Sequence, residues 1–575
     1  MMPITTHQLI YLLPIVILGF AIVILLFLLL LRRINTRFSA FFVVISLTLA
    51  LFSSVFIGYK IINQPQQENA VTVSTEQPVV TNDAEKGIAA AINTDSTTAE
   101  KERHNQEQTE AGIISEQVLH PDETKTSAES LESTSTAEEP MWIPTYVTAL
   151  FTADGYGCLY TSLILLISIV VTTLSLSWFK QEENNQGLFY LMVLLAALGS
   201  VISVYSSHLI SLFIGIELLS ISIVGLIGFQ FKQRYTLEAA VKYMVLSAIS
   251  TAFLLLGIAF YYAGTGELTF SGLSFQLSTL SQPSTLLLTG VCLMLVGIGF
   301  KLSLVPFQLW LPDVYQGAPA CVSLLLTTGC KLAIFCAVAR LFLLAPIVNN
   351  ETIRVIMVIM SFSSIIWGNV VAINQTNIKR LLAFSSITHF GYLLVTLIAV
   401  QYQVLAVETI GVYLIGYVLA NVCILGVISL ESQSKESHDQ DSQLELSGLF
   451  WRRPIIALAM GVGLLSLAGI PLTLGFFGRF SLILLAVTAE LWWLVGIIVV
   501  GSALGLYLYL RLTINLYIKP NNYSKPVQNN SKRSIKELGI NEVFIVTSAL
   551  LIIFCGIYPK WIFNLVTAAQ YLMPQ

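Results

Sequence analysis

Several long apolar segments of this chain contain ionisable side chains, where a lipid bilayer would penalise them. A charged group at the centre of a bilayer costs at least about 2.5–3.5 kcal/mol on insertion scales, so such residues are rare and usually functional. Their typical chemistry is proton transfer or ion passage. The main candidates are Glu217, Lys242, Lys301, Lys331, His389 and Arg479.

The two lysines of adjacent segments, Lys301 and Lys331, are candidate proton carriers. Desolvation disfavours the charged ammonium form, so a buried lysine can accept a proton near neutral pH. Snorkelling of the amine to the interface is the alternative, and it applies more to Lys301 than to Lys331. His389 titrates near neutral pH, although a hydrogen-bonded core histidine is also common. Arg479 retains its proton, so it can gate or tune a path but carries protons poorly.

Two ion pairs compete for Lys242. It follows Glu238 by four positions, so a local pair on one helix face is one interpretation. The other is a pair between adjacent helices with Glu217, which lies near the middle of its segment without a charged neighbour in sequence. The sequence alone does not decide between them, and Glu217 could also be a structural acid with one basic partner.

The composition explains where these residues lie. The 575-residue chain is 55% hydrophobic and 11% charged, whereas soluble domains carry about 25% charged residues. Its charge is segregated: residues 66–140 hold 16 acidic and four basic residues, which leaves 25 basic against 17 acidic elsewhere. The chain is therefore predicted to be an integral membrane protein, and the basic excess fits cytoplasmic loops better than a nucleic-acid surface.

Apolar runs of about 20 residues predict fourteen transmembrane spans. They lie near 8–31, 39–62, 150–177, 187–206, 208–230, 238–263, 285–306, 318–345, 352–373, 380–401, 407–430, 454–483, 491–517 and 540–572. The first run is too long for a signal peptide, and its basic residues follow it, so we expect an uncleaved span with a periplasmic N-terminus. Alternate loops then carry the Lys and Arg residues, as the positive-inside rule requires.

Pro and Gly interrupt the predicted spans at three places: 301–312 (KLSLVPFQLWLP), 317–319 and 469–478 (GIPLTLGFFG). Broken helices in a membrane bundle line a cavity or find polar partners. The interruptions in spans 7 and 12 are five spans apart, and an odd offset reverses orientation. Opposite orientation of the two interruptions is what an inverted repeat requires.

No cofactor or metal is expected on this chain. Its seven cysteines are scattered without a CxxC or Cys/His cluster, and neither a P-loop nor a dinucleotide-binding glycine motif is present. Residues 66–140 have the composition of a disordered segment. A solvated periplasmic tether is one interpretation of this segment, and a docking arm for a neighbouring subunit is the other.

At the ionisable residues the sequence resembles subunit N of bacterial respiratory complex I, the proton-translocating NADH–quinone oxidoreductase. The matching stretches are HLISLFIGIELLSI, LEAAVKYMVLSA, GFKLSLVPFQLWLPDVYQGAPA, QTNIKRLLAFSSITHFGYLL and LSLAGIPLTLGFFGRF. With their flanking spans they cover essentially all of the chain except 66–140. The segment LWWLVG…GSALGLYLYLRL favours the N subunit over its larger paralogues.

The resemblance implies an all-α membrane subunit with two inverted five-helix antiporter-like repeats, spans 4–8 and 9–13. The domain boundaries are then 1–62 for the first two helices, 63–145 for the acidic periplasmic insert, 146–186 for the third helix, 187–345 and 352–517 for the repeats, and 518–575 for a cytoplasmic loop and the last helix. It implies proton transport through Glu217 paired with Lys242, Lys301, Lys331 and His389, with Arg479 where the family has lysine.

The same resemblance implies that the redox chemistry lies on other chains. FMN, iron–sulfur clusters, NADH and quinone (ubiquinone or a relative) are expected on partner subunits of the membrane and peripheral arms. The expected location is the bacterial inner membrane, and no nucleic-acid partner is expected. A cation/proton antiporter or a membrane hydrogenase subunit built from the same module is the alternative.

Three features depart from the family pattern. Gln308 stands where the family's PFHLW motif has histidine, so one titrating group is missing between the half-channels, although a water beside its amide could pass a proton. Arg479 keeps the charge of the family's lysine without its ability to lose a proton. The insert 66–140 has no counterpart in the pattern.

Overall fold

The long apolar segments form helices, because a helix satisfies its backbone amides internally where no water is present. The computed structural model describes residues 10–31, 36–63, 145–179, 186–230, 234–272, 284–345, 347–432, 439, 441–519 and 539–570. Its α-helices in chain order are α1 Leu13–Leu30, α2 Thr36–Asn63, α3 Gly155–Trp178, α4 Gln186–Tyr205, α5 Leu209–Ile227, α6 Arg234–Thr265, α7 Thr285–Leu302, α8 Trp310–Gly317, α9 Ala320–Leu325, α10 Lys331–Leu344, α11 Glu351–Ile373, α12 Ile378–Ile398, α13 Gln403–Glu431, α14 Leu449–Arg452, α15 Pro454–Ala468, α16 Leu474–Thr488, α17 Trp492–Tyr517, α18 Ile540–Ile557 and α19 Pro559–Gln570.

The predicted all-α membrane class is confirmed. Within the described residues, thirteen helical segments are long and apolar enough to cross a membrane. The two shorter apolar helices α15 and α16 together occupy the predicted span 454–483. The helices thus agree with the predicted fourteen spans. The predicted acidic insert, 66–140, lies outside the described residues.

The helices are interrupted at the positions that the Pro and Gly residues predicted. The breaks in spans 7 and 12 both start at a residue with left-handed backbone conformation. Helix α7 ends at a left-handed residue, Ser303 (φ 61°), and α15 ends at another, Gly469 (φ 74°). A left-handed residue turns the chain out of the helix, which frees the last carbonyls for other partners. These breaks fall in spans 7 and 12. The inverted relation between the two halves remains a prediction.

A second irregularity, which the sequence did not predict, interrupts span 8. Residues Leu326–Cys330 form one turn of π-helix between α9 and α10, directly before Lys331. The hydroxyl of Thr327 in this turn donates to the carbonyl of Ser323 in α9 (2.6 Å). Single π turns inside α-helices are frequent at functional sites. The π turn sets the direction in which the lysine enters the bundle.

A short β-hairpin precedes α3, and the predicted start of span 3 at residue 150 is therefore wrong. Strand β1, Thr145–Thr148, pairs antiparallel with β2, Phe151–Ala153. Phe151 also bridges to Ser206, just after α4. We call this end of the bundle the hairpin side; it includes the start of α3 and the end of α4. Strands of three or four residues are too short to be recognised from an alternating pattern in an apolar sequence.

The last predicted span, 540–572, is also two helices. A proline, Pro559, begins α19 directly after Tyr558, and the chain bends there. Proline fits the first turn of a helix but cannot continue one, which explains the division. On α19, Thr567 donates a hydrogen bond to the Glu408 carboxylate of α13 (2.9 Å), which fixes α19 against the bundle.

Small residues allow α4 and α5 to approach closely. A Cβ on Gly199 would lie 2.7 Å from the backbone nitrogen of Leu219 and 2.9 Å from the carbonyl oxygen of Gly215. Both neighbours are backbone atoms, which cannot move without shifting a helix. Membrane helices use such small residues because close packing, rather than the hydrophobic effect, holds them together.

We therefore expect Gly199→Ala to destabilise the protein by about 1–3 kcal/mol, the usual cost of overpacking. The measurement is the midpoint temperature of thermal unfolding of the full chain in detergent. The matched control is Gly496→Ala in α17, where an added Cβ meets no atom within 4 Å. Equal midpoints for the two variants would contradict the close approach of α4 and α5.

Candidate functional site

Lys301 lies at the end of α7 and is buried among hydroxyl groups. Its Nζ donates to Ser220 Oγ of α5 and to Ser247 Oγ of α6, both at 2.7 Å. The carboxylate of Glu217 lies 3.8 Å from the same nitrogen. The lysine side chain is 2% exposed and that of Glu217 is 29% exposed. Three helices thus enclose the amine and supply one loose ion pair.

The predicted Glu217–Lys242 pair is not formed. Glu217 instead accepts a short hydrogen bond from Thr251 Oγ1 (2.6 Å) and pairs with Lys301. Thr251 lies nine residues beyond Lys242 on α6, which corresponds to about 13 Å of helix at 1.5 Å per residue. The two charges are therefore at different depths. Sequence spacing could not show which turn of α6 faces the acid.

Lys242 belongs to a separate charge network at the edge of the bundle. Its Nζ lies 2.7 Å from Glu238 Oε1 and 2.9 Å from Asp313 Oδ2, and Asp313 also binds Arg380 (2.7 Å). Burial acts to raise the pKa of Asp313, but hydrogen bonds and charge from Lys242 and Arg380 outweigh it and lower that pKa. The Lys242 side chain is 42% exposed. The local Glu238–Lys242 pair, one of the two sequence interpretations, is therefore the one observed.

Lys331 is the most enclosed of the candidates that sequence identified. Its Nζ donates to Ser386 Oγ of α12 at 2.8 Å and lies 5.0 Å from the centre of the Phe390 ring. The hydroxyl of Tyr417, on α13, donates to the same serine oxygen at 3.0 Å. No carboxylate within the described residues forms an ion pair with Lys331. A serine and an aromatic face are weaker stabilisers of an ammonium than a carboxylate.

His389 lies less than one turn beyond Ser386 on α12 and bonds two tyrosines. Its Nδ1 is 2.7 Å from Tyr413 OH, and its Nε2 is 3.2 Å from Tyr509 OH. Tyr509 OH in turn forms a short hydrogen bond with Ser385 Oγ. Both imidazole nitrogens therefore have hydroxyl partners, which can exchange donor and acceptor roles as a proton passes.

Arg479 of α16 is bound to the broken helix itself. It donates from one terminal nitrogen to the carbonyl of Ala468 (2.7 Å) and from the other to that of Leu467. Its guanidinium also lies 5.8 Å from the centre of the Tyr392 ring. These carbonyls are among those that the end of α15 leaves without helical partners. The arginine thus closes the break in span 12 and stays charged.

A small cavity separates His389 from Arg479. It has room for about one water molecule. The lining residues are His389, Tyr413, Gly416, Tyr417, Ser466, Leu467, Gly475, Gly478 and Arg479. The imidazole and the guanidinium therefore face the same small cavity.

Gln308 is buried between the end of α7 and the start of α8, and its Oε1 has no protein hydrogen-bond partner among the described residues. An amide oxygen in this position can accept a hydrogen bond from water. The structure places Gln308 seven residues after Lys301, within the break, as its position in the sequence indicated. Its expected role as a link between the lysines remains a prediction.

A larger cavity of about 270 Å³ opens on the side opposite the hairpin. Its lining includes the ends of α3 and α8 together with Lys379, Asp439 and Asp441. Lys379 Nζ lies 2.7 Å from Asp439 Oδ2 and 3.5 Å from Asp441 Oδ2, and it donates to the Ala318 carbonyl at 2.9 Å. We call this end of the bundle the Lys379 side.

Sequence reasoning identified the charged members of the site but missed its neutral ones. The missed residues that contact the candidates are Ser220, Ser247, Thr251, Ser386, Tyr413, Tyr417 and Tyr509. The spacing of Tyr413 and Tyr417, four residues apart in an apolar span, places both on one helix face and was the available signal. Arg340 also lies in an apolar span, and the insertion cost that identified the other candidates applies equally to it.

Comparisons with known proteins agree with this architecture. Residues 206–505 match the family model described as NADH:quinone oxidoreductase/Mrp antiporter, TM. The chain is similar to a chain of respiratory complex I from Thermus thermophilus with bound aureothin, at 25% identity over 96% of this chain and 98% of that chain, with a TM-score of 0.68.

Two further solved structures share the fold. One is the membrane-bound sulfane sulfur reductase, an archaeal respiratory membrane complex, at 24% identity over 72% of this chain and 82% of that chain, with a TM-score of 0.62. The other is the Mrp complex of a Dietzia species, at 18% identity over 73% and 84% of the two chains, also with a TM-score of 0.62. The family model covers more than half of the sequence, including the segments that carry Glu217, Lys301, Lys331, His389 and Arg479. This multi-pass membrane chain therefore belongs to the NADH:quinone oxidoreductase/Mrp antiporter family of transmembrane proteins.

Proposed function

We propose that this chain is the N-type antiporter-like subunit of a bacterial NADH–quinone oxidoreductase and translocates protons across the inner membrane. The observation that carries the proposal is the series of buried titratable groups held by neutral hydrogen-bond partners. Lys301, Lys331 and His389 each sit among hydroxyls of neighbouring helices. Such partners stabilise either protonation state, which a proton carrier needs.

The first step involves Glu217 and Lys301. Their 3.8 Å separation allows attraction without a direct hydrogen bond, while two serines hold the amine in place. A shift of Glu217 away from Lys301, driven by quinone reduction in the rest of the complex, would weaken the attraction and favour release of the lysine's proton. Gln308 and water then lie on the way to Lys331.

The next steps cross from the first repeat to the second. Lys331 gives its proton to the hydroxyl network of Ser386 and Tyr417, because Ser386 Oγ contacts both. His389 is the next titratable group on α12, and its ring lies 5.2 Å from that of Tyr417. Arg479 holds a fixed charge beyond His389 and limits the approach of a further proton.

The source of protons in this scheme is the Lys379 side. Its cavity of about 270 Å³ gives water access to the ends of α3 and α8. The positive-inside pattern assigns this side to the cytoplasm and the N-terminus to the periplasm. The other membrane subunits and a peripheral arm with FMN, iron–sulfur clusters, NADH and quinone are the proposed partners, and the redox chemistry takes place on them.

A cation/proton antiporter is the second candidate, because the matched family model includes Mrp antiporters. Co-purification distinguishes the two. A tagged chain from native membranes should bring down flavin- and iron–sulfur-bearing partners with NADH–quinone activity. Sodium/proton exchange by a preparation that lacks these partners would favour the antiporter instead.

Substitution of Lys301 tests proton release at the first lysine. Lys301→Ala should abolish the proton pumping of this subunit, and Lys301→Arg should allow assembly but still impair pumping, because arginine fits a cationic site yet does not release its proton. Pumping is measured as acidification of inverted vesicles per NADH oxidised. Lys560→Ala, an exposed lysine on α19, is the control. Normal pumping by Lys301→Arg would show that deprotonation there is not required.

The link between Lys331 and His389 gives a second prediction. Tyr417→Phe removes only the hydroxyl that bonds Ser386, so it should slow pumping at constant assembly by about ten-fold or more, within the usual range for loss of a proton-transfer group. The control is Tyr507→Phe on the exposed face of α17. Equal pumping rates for the two variants would remove Tyr417 from the path.

Arg479 gives a third prediction. Arg479→Lys should be tolerated, because a lysine still places a cation near the carbonyls of Leu467 and Ala468. Arg479→Ala should impair pumping, because it removes the charge and leaves both carbonyls without their donor, at a cost of about 1–3 kcal/mol each. Pumping and the amount of assembled complex are measured together. If both variants match the parent, the path does not use this position.

A further inference from the structure

A buried amide near Arg479 has no role in the function proposed above. Asn369 of α11 is 4% exposed, and its Nδ2 donates to the carbonyl of Ile365 (3.0 Å), one turn earlier on the same helix. The other end of the amide, Oδ1, faces Gly505 of α17. A Cβ on Gly505 would lie 3.5 Å from Asn369 Oδ1 and 3.8 Å from Arg479 Nη2. The amide oxygen and the guanidinium nitrogen therefore border the same point on α17.

The arginine has a hydrogen to offer to this oxygen. Each terminal nitrogen of a guanidinium carries two hydrogens. Arg479 Nη2 donates to the carbonyl of Leu467, and the same nitrogen borders the point on Gly505. An amide oxygen accepts hydrogen bonds and carries no proton of its own. Asn369 Oδ1 is thus a second acceptor near the nitrogen that Leu467 holds in the observed position.

Tyr392 of α12 lies beside both groups. The guanidinium of Arg479 is 5.8 Å from the centre of its ring. Its hydroxyl and Asn369 Nδ2 both pack against Gly501 of α17, because a Cβ on that glycine would lie 2.5 Å from the hydroxyl and 3.2 Å from the amide nitrogen. Arginine binds aromatic faces while it stays charged. The ring therefore gives the guanidinium a favourable surface next to Asn369.

The two acceptors differ in their relation to His389. Arg479 and Leu467 line the small cavity together with His389, whereas neither Asn369 nor Gly505 is among its lining residues. A proton on His389 brings a second positive charge to this cavity. Because like charges repel strongly in a low-dielectric interior, the protonated imidazole favours a guanidinium that has turned away from the cavity.

We propose that Asn369 is a positioning residue for Arg479, whose guanidinium turns to Asn369 Oδ1 when His389 carries a proton; this inference rests on the proposed function. The imidazolium then gives its proton to a water molecule in the cavity, which leaves a neutral imidazole and a hydronium. Return of the guanidinium to the carbonyls of Leu467 and Ala468 makes a positive charge in the cavity unfavourable again, so the proton leaves. Movement of the charge replaces the deprotonation that arginine does not undergo.

Gly505→Ala in the assembled complex tests the second position with little effect on packing. The added methyl comes no closer than 3.5 Å to its neighbours, yet it occupies the point that Asn369 and Arg479 share. We expect this variant to lose the same share of protons pumped per NADH oxidised as Lys331→Ala, with assembly and electron transfer retained. The matched control on α17 is Gly496→Ala, where an added Cβ meets no atom within 4 Å, and it should pump like the parent.

A lysine at position 479 separates this role from a structural one. Lysine can release its proton and has no need to turn, so Gly505→Ala should cause no further loss when it is combined with Arg479→Lys. Asn369→Leu, which removes the acceptor, should likewise reduce pumping with arginine and not with lysine. A packing defect would reduce pumping in both backgrounds.

The outcomes separate the two proposals. If Lys331→Ala pumps like the parent, the proposed function fails. If Lys331→Ala loses pumping while Gly505→Ala keeps the full ratio, or loses it equally with arginine and with lysine, Asn369 has no positioning role. Complete loss of pumping in Arg479→Lys alone would also overturn that role. Should Asn369→Leu fail to assemble, Gly505→Ala in the two backgrounds decides by itself.

Discussion

The cost of burying a cation governs the interior of this chain. In the middle of the bundle the cations are held by neutral groups: Lys301 by two serine hydroxyls beside a loosely placed Glu217, Lys331 by Ser386, and Arg479 by backbone carbonyls. Full ion pairs at 2.7 Å or less hold the buried cations at the two ends, Arg340 on the hairpin side and Lys379 on the other. A close carboxylate fixes the charge of its partner, whereas a hydroxyl accommodates either protonation state. Close ion pairs therefore lie at the two ends of the bundle, and hydroxyl partners lie at its centre.

The broken helices follow from the same constraint. A continuous helix uses every carbonyl and amide internally, so it has no backbone group to offer a buried charge. The left-handed residues Ser303 and Gly469 end α7 and α15 inside the bundle. The second break supplies the carbonyls that hold Arg479, while the first exposes the loop that contains Gln308. The π turn before Lys331 is a smaller irregularity, because it interrupts the regular α-helical hydrogen bonding of span 8 without ending the helix.

The spans and the buried charges could be predicted from the sequence because both signals are local. The hydropathy of one segment predicts a span, and a charged residue inside that segment predicts a buried charge. Contacts between segments were harder to predict. The Glu217–Lys242 pair was wrong because the depth at which α6 faces α5 depends on packing, here on residues such as Thr251 and Ser247 that are common in any span. The hairpin was too short to show a period, and the π turn has no known signature in Leu326–Cys330. The hydroxyl groups that bind the lysines and the histidine could not be predicted, because serine and tyrosine inside an apolar span usually serve only in packing.

The two broken helices differ in the charged group beside the break: Lys301 lies just before the first break, and Arg479 follows the second. The first has a lysine, which can alternate between charged and neutral forms, and the second has an arginine, which cannot. In the proposed path, the fixed charge of Arg479 beyond His389 disfavours a positive charge on the imidazole. In the proposed path, a proton on His389 therefore either returns toward Lys331 or leaves past Arg479, whose guanidinium is held by the carbonyls of Leu467 and Ala468.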